Sequence, residues 1–191
     1  MKEFYAYIDK CVQLPKLQRR SFEKELWKKF GVKKAVFILD MSGFTVSVQR
    51  NGLVDFLCKI RVMHKIVEKK ILEYKGRIVK FEADNAYAVF DKPEQALQAS
   101  VEVVRHFQTH KGDGVSVSVG ISYGEVLLIP GKDFFGDAVN QASKLGEDLA
   151  QTNEILVSEN VVTAKVKKIF SMEKLDLKVS GIKVNCFKII I

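Results

Sequence analysis

The chain has 191 residues, enough for one domain of ordinary size with a substantial core. Hydrophobic residues make up 47% and charged residues 28%, which excludes collagen-like and broadly disordered classes, and no apolar run approaches the roughly 18 residues of a bilayer-spanning helix. The formal net charge of +8 sits at the two ends: residues 1–34 hold ten Lys or Arg against four acids and residues 164–191 seven against two, so the middle is slightly acidic and carries no basic stripe for nucleic acid.

In chain order, Phe4, Tyr5, Ile8 and Val12 fall on one face of a first helix. Pro15 opens a second, whose Phe22, Leu26, Trp27 and Phe30 repeat at helical spacing, with Gly31 as its stop. Residues 1–31 therefore read as a helical extension and residues 32–191 as the main domain; the following domain or a second subunit is expected to cover the apolar face of the extension. Residues 35–41 predict a buried strand, rich in Val, Ile, Leu and Phe. Residues 53–74 predict a long helix with Leu53, Phe56, Leu57, Ile60, Met63, Val67 and Ile71 on its inner stripe, ended by Gly76. Residues 77–82 and 86–90 form a hairpin about a tight Ala83-Asp84-Asn85 turn. Asp91 is expected to cap a helix with Pro93 near its start, running to about residue 108. Val115, Val117, Val119 and Ile121 alternate as a strand, with residues 125–129 as its hairpin partner. A helix over 137–150, a strand over 155–157 and a last strand over 184–191 complete the chain. The order β-α-β-β-α-β over residues 35–129 predicts an α+β fold, a ferredoxin-like sheet with helices on one face plus extra C-terminal strands.

Asp40 ends a strand that is otherwise apolar, where a carboxylate is costly unless solvated, paired or bound to a cation. Asp84 stands at the hairpin tip, and in a ferredoxin-like sheet the first strand and that hairpin are neighbours. Two adjacent carboxylates repel unless a divalent cation bridges them. The Ser42-Gly43 turn offers backbone N–H groups suited to phosphate. Taken alone, a capping Asp40 and a turn Asp84 remain the commoner reading of these two residues.

The surrounding segments reverse that weighting. Phe37-Ile-Leu-Asp-Met-Ser-Gly-Phe-Thr45 resembles the first metal-binding motif of class III adenylyl and guanylyl cyclases, and Val79-Lys-Phe-Glu-Ala-Asp-Asn-Ala-Tyr-Ala-Val-Phe90 resembles their second. Val119-Gly-Ile-Ser-Tyr-Gly-Glu-Val126 is similar to the strand and turn that follow, and Asp133-Phe-Phe-Gly-Asp-Ala-Val-Asn-Gln-Ala-Ser-Lys144 to their signature helix. The resemblance covers about residues 33–160, in order and spacing. It implies that Asp40 and Asp84, with the Met41 carbonyl, hold two Mg²⁺ or Mn²⁺ ions, and that Phe44 and Thr45 line the nucleotide. It further implies that Lys80 and Asp133 read the base, favouring ATP, that Asn140 orients the ribose, and that Lys144 occupies the place of the family's transition-state arginine. Metal and base contacts come from opposite subunits in this family, so the resemblance implies a symmetric homodimer that turns ATP into cyclic AMP and pyrophosphate.

Three positions depart from the pattern. Lys144 keeps a positive charge but lacks the planar guanidinium fork. Ala83 stands where a glycine usually precedes the second aspartate. Glu82 replaces an apolar residue and by strand parity shares a face with Lys80; it forms a salt bridge with a neighbouring base, neutralises Lys80, or adds a third acid near the metals. These departures keep open a catalytically silent nucleotide-binding module and a cyclase acting on GTP or a pyrimidine nucleotide. His64, His106 and His110 read as surface residues, and Trp27 as core. Three scattered cysteines and an N-terminus unlike a signal peptide predict a cytoplasmic protein with no transmembrane segment.

Overall fold

The computed structural model describes residues 2–42, 49, 51–110, 112, 114–179 and 182–191. Its strands form one sheet in the order β2-β3-β1-β4-β6-β8-β7, built from β1 (Gly31–Met41), β2 (Arg77–Glu82), β3 (Asn85–Phe90), β4 (Val117–Ile129), β6 (Ile155–Ser158), β7 (Met172–Val179) and β8 (Ile182–Ile189), with the short β5 (Asp133–Phe135) paired to β4. The pairings are antiparallel except for β4 with β6. No described helix is long and apolar enough to cross a membrane.

The continuous apolar run at the heart of β1 reflects burial on both faces. Phe37 and Leu39 join Ala88, Phe90 and Ile121 beneath α3 (Leu53–Glu73) and α4 (Pro93–Thr109). Val36 and Ile38 face the other way, against Val126, Phe134 and the Ala138 and Ala142 of α5 (Asp137–Ser143). The two helices of the β-α-β-β-α-β core thus lie on one face, as expected, and α5, which follows the core, covers the opposite one.

The N-terminal helices α1 (Lys2–Val12) and α2 (Arg19–Phe30), joined by a 3-10 turn after Pro15, pack on the far end of β4. Phe4 and Leu26 bury against Leu127 and Ile129, and the Phe4 ring stacks on Phe135 of β5 at 6.1 Å. Gly31 stops α2 as expected, but it is also the first residue of β1, four residues before the predicted start.

Several expectations are corrected. In α3, Phe56, Met63, Val67 and Ile71 are buried, whereas Leu53 and Leu57 are 58% and 53% exposed. Leu53 lies in the first turn, and Leu57 sits roughly 100° round the helix from Phe56. Residues 125–129 are not a hairpin partner of the preceding strand: β4 runs unbroken for 13 residues and pairs with β1 from Gly31↔Leu127 to Met41↔Val117. Its hairpin partner is β5, reached through a reversal at Gly131, whose φ is +67°. Asp91 does not cap α4; its carboxylate accepts from Lys34 Nζ, and the residue before Pro93 makes no side-chain cap. The expected helix over 137–150 is α5 followed by a wider π-helical turn, Lys144–Leu149. Its placement needs two glycines. A Cβ on Gly146 would meet the Gly120 amide nitrogen at 2.7 Å and the Ile38 carbonyl oxygen at 2.9 Å, so the turn presses directly on the backbone of β1 and β4. β7 and the short α6 (Ala164–Ile169), whose first turn is capped by Thr163, carried no clear sequence pattern.

Candidate active site

Asp40 is the penultimate residue of β1, half-buried after five fully buried neighbours, and lies across the ladders from Asn85 of β3 and Ser118 of β4. Asn85 follows Asp84 directly, so both acids sit at the same end of adjacent strands. Burial, then the charge of Asp84, then that of Glu147, push the Asp40 carboxyl up to about 6, against the opposing Met41 amide bond. Neither aspartate forms an ion pair among the described residues. Among the described residues, Asn85 Oδ1, opposite Asp40 in the ladder, is buried without a hydrogen-bond partner. Two crowded carboxylates and an orphaned oxygen form the hard, all-oxygen donor set that suits a divalent cation. Among the described residues no three His, Cys, Asp or Glu side chains converge as a complete metal cage, so water and phosphate oxygens would fill the remaining positions.

Glu147 was not singled out from the sequence. Its carboxylate accepts from Tyr87 Oη at 3.1 Å, Asn85 Nδ2 at 3.4 Å and the Ser143 hydroxyl. The four-residue spacing of Ser143 and Glu147 was a usable signal; the cross-sheet reach to Tyr87 was not. His64 was read as a surface residue. It is half-buried: its ring stacks on Phe81 at 4.1 Å, and its Nε2 donates to the carbonyl of Ala83, the residue before Asp84, at 3.2 Å. Burial, the leading cause, lowers its pKa.

A second group surrounds Lys80. The β2–β3 register shifts between Ile78 and Lys80, a bulge that leaves Ile78 and Phe81 packed toward α3 and α4. Lys80 then lies opposite Tyr87, with its ammonium 5.0 Å from the Tyr87 ring centre. Glu82 lies 2.8 Å from that ammonium and Asp133, on β5, 3.5 Å from it. The Glu82 hydrogen bond is the chief cause that raises the Lys80 pKa. Glu82 thus pairs with Lys80 itself, which joins two of the readings open for it, a salt bridge with a neighbouring base and neutralisation of Lys80. Asp133 is held from behind by the Phe134 amide, which donates to its Oδ1 at 2.9 Å.

Asn140 and Lys144 line one hollow of about 400 Å³ with Leu145, Ser158 and Val184. The Lys144 ammonium lies 3.3 Å from Asp148. The structure thus brings together Asp40 with Asp84, Lys80 with Asp133, and Asn140 with Lys144. Met41 closes β1 with its side chain buried. Phe44, Thr45 and the glycine of the Ser42-Gly43 turn lie outside the described residues.

With this geometry in place, comparison with known proteins defines the class. Residues 33–190 match the profile of the Adenylate and Guanylate cyclase catalytic domain, and the chain belongs to that family. Its fold is similar to the catalytic core of a rhodopsin-guanylyl cyclase with converted specificity, in complex with ATPalphaS (TM-score 0.73, 21% identity, covering 84% of this chain and 98% of that one). It is also similar to an Adenylate/Guanylate Cyclase/Hydrolase from Silicibacter pomeroyi (TM-score 0.69, 26% identity, 84% and 97% covered). An uncharacterised protein of Mycobacterium tuberculosis (strain ATCC 25618 / H37Rv) is 39% identical over 70 residues, which take in 37% of this chain and 18% of that relative's length.

Proposed function

We propose that this chain converts ATP into cyclic AMP and pyrophosphate at two sites of a symmetric homodimer, each uniting Asp40 and Asp84 of one subunit with Lys80, Asp133, Asn140 and Lys144 of the other. The observation that carries this reading is the convergence of Asp40 and Asp84, which form no ion pair among the described residues. The ribose 3′-oxygen attacks the α-phosphorus, its proton passes to water, the bond from that phosphorus to the β-bridging oxygen breaks, and pyrophosphate leaves.

Asp40 and Asp84, with the Met41 carbonyl, are the residues to hold two Mg²⁺ or Mn²⁺ ions, which when bound supply a lowered 3′-hydroxyl pKa and charge neutralisation along the triphosphate. The chain's own contribution is positioning and charge. Asp133 accepts from the adenine 6-amino group and Lys80 donates to N1. Asn140, exposed on α5, orients the ribose. Lys144, in the same hollow, donates to the α-phosphate as negative charge develops. Its ammonium lacks the planar fork with which a guanidinium grips two phosphate oxygens, which sets turnover about 10²–10³ below that of an arginine-bearing site.

The test is incubation of the purified protein with ATP, GTP, CTP and UTP plus Mn²⁺, with detection of cyclic product. Formation of cyclic AMP, abolished in Asp40→Asn and Asp84→Asn, supports the reading. Nucleotide binding without product from any of the four would favour a silent regulatory module, a reading to which the Lys144–Asp148 pair lends weight because it engages the cation assigned to the transition state.

A further inference from the structure

Lys80 has two carboxylates beside it, and the two are held differently. Asp133, at 3.5 Å, is anchored by the Phe134 amide; Glu82, at 2.8 Å, is 62% exposed at the end of the edge strand β2. The ammonium rests over the Tyr87 ring, so one donor is shared by two acceptors carried on different elements, Glu82 on β2 and Asp133 on β5.

The two purines ask for different acceptors beside such a donor. Adenine presents its 6-amino donor beside the N1 acceptor. Guanine presents the O6 acceptor beside the N1–H and 2-amino donors. One lysine serves adenine N1 or guanine O6, but the carboxylate that must complete the pattern stands on opposite sides of it in the two cases. A buried polar edge left unmatched is what normally rejects the wrong base.

We propose that Glu82 is a specificity-determining residue: Asp133 with Lys80 reads adenine, Lys80 with Glu82 reads guanine, and the site accepts both purine nucleoside triphosphates while rejecting pyrimidines. This rests on the cyclase reading above, which brings the base to Lys80, and it widens the substrate class. The bulge at Val79 is part of the device. Without it Lys80 would follow the parity of Ile78 toward α3 and α4, away from Tyr87 and Asp133.

The experiment measures kcat and KM for ATP and GTP with Mn²⁺, together with displacement of a fluorescent ATP analogue by ATP, GTP and CTP, in the wild type, Glu82→Gln and Asp133→Asn. The wild type is expected to use both purines with kcat/KM values within about tenfold, and CTP to compete poorly. Glu82→Gln is expected to shift the ATP-to-GTP ratio toward ATP by at least about tenfold, mostly through KM, and Asp133→Asn to shift it the opposite way. Product from ATP alone in the wild type, or a Glu82→Gln ratio equal to wild type, overturns the proposal and leaves the cyclase reading standing. Should no nucleotide give product, the displacement series decides: GTP competing as ATP does and losing ground in Glu82→Gln supports the shared donor, and absence of all competition overturns both readings.

Discussion

Asp40 of β1 faces Asn85 of β3 across the ladder, one residue past Asp84, and the lift of its carboxyl to about 6 makes the site itself a source of instability. The folded pKa exceeds the ordinary 3.8, so the folded state binds the proton more tightly than the unfolded chain. Stability from this group is therefore fully present below about pH 4 and is lost as pH rises through about 6. Asp40→Asn is expected to stabilise the metal-free protein by about 2 kcal/mol at pH 7.5, with little effect near pH 4. Mn²⁺ should stabilise the wild type and not the variant. Thermal melts from pH 4 to 8, with chelator or Mn²⁺, check this; a variant less stable than wild type at pH 7.5 would contradict it.

Ala83 carries a φ of +50° in the turn before Asp84, in the left-handed region that costs a residue with a Cβ about 1–2 kcal/mol. Ala83→Gly removes that strain and gives back part of it as unfolded-chain entropy. A net gain on the order of 0.5–1 kcal/mol is expected in urea unfolding at unchanged m-value. A loss of stability would mean that the turn is not strained.

Lys144→Arg restores a planar donor fork in the hollow shared with Asn140 while keeping the charge that pairs with Asp148. Turnover is expected to rise about tenfold or more, with KM little changed, because the added hydrogen bond forms as charge develops on the phosphate. Steady-state kinetics with ATP and Mn²⁺ measure it. A change in KM alone would place this residue in ground-state binding.

Gly146→Ala tests the close approach that sets the π-helical turn. The new methyl would meet backbone atoms of both β1 and β4, so the Lys144–Leu149 turn must lift from the sheet. A loss of roughly 1–3 kcal/mol is expected, together with weakened contacts from Glu147 to Tyr87 and Asn85. Chemical denaturation and the lost protection of the Tyr87 hydroxyl by NMR report the two effects separately.

The alternation of Val117, Val119 and Ile121 marks β4 where one face is α4 and the other α5, but the hairpin expected before residues 125–129 is absent there, and Gly124 lies inside the strand. In the folded chain it admits Ala138 to 3.2 Å of its Cβ position, a demand made by the tertiary neighbour and not by the local backbone. Lys80 and Asp133 were legible as a pair from the resemblance alone. The bulge that turns Lys80 toward Asp133 was not, because a residue inserted into a short strand leaves the apolar pattern of Ile78, Val79 and Phe81 ambiguous. The contacts of Glu147 and His64 are not legible in the sequence for a shared reason: each acts on a residue of another element, 60 positions away for Tyr87 and 19 for Ala83, and no local periodicity encodes such a contact.

Read alone, the amino-acid order determined the element types of the core, the burial of β1, and the four motifs that mark the cyclase family, since these depend on side-chain period and on residues close together along the chain. Only the tertiary structure decided that Asp40 meets Asp84 and Glu147, that Glu82 rather than Asp133 is the nearer partner of Lys80, and that the N-terminal helices cover β4 and β5. Those relationships come from strand register and from backbone-to-backbone packing at Gly120 and Gly146, where distance in space is independent of distance in sequence.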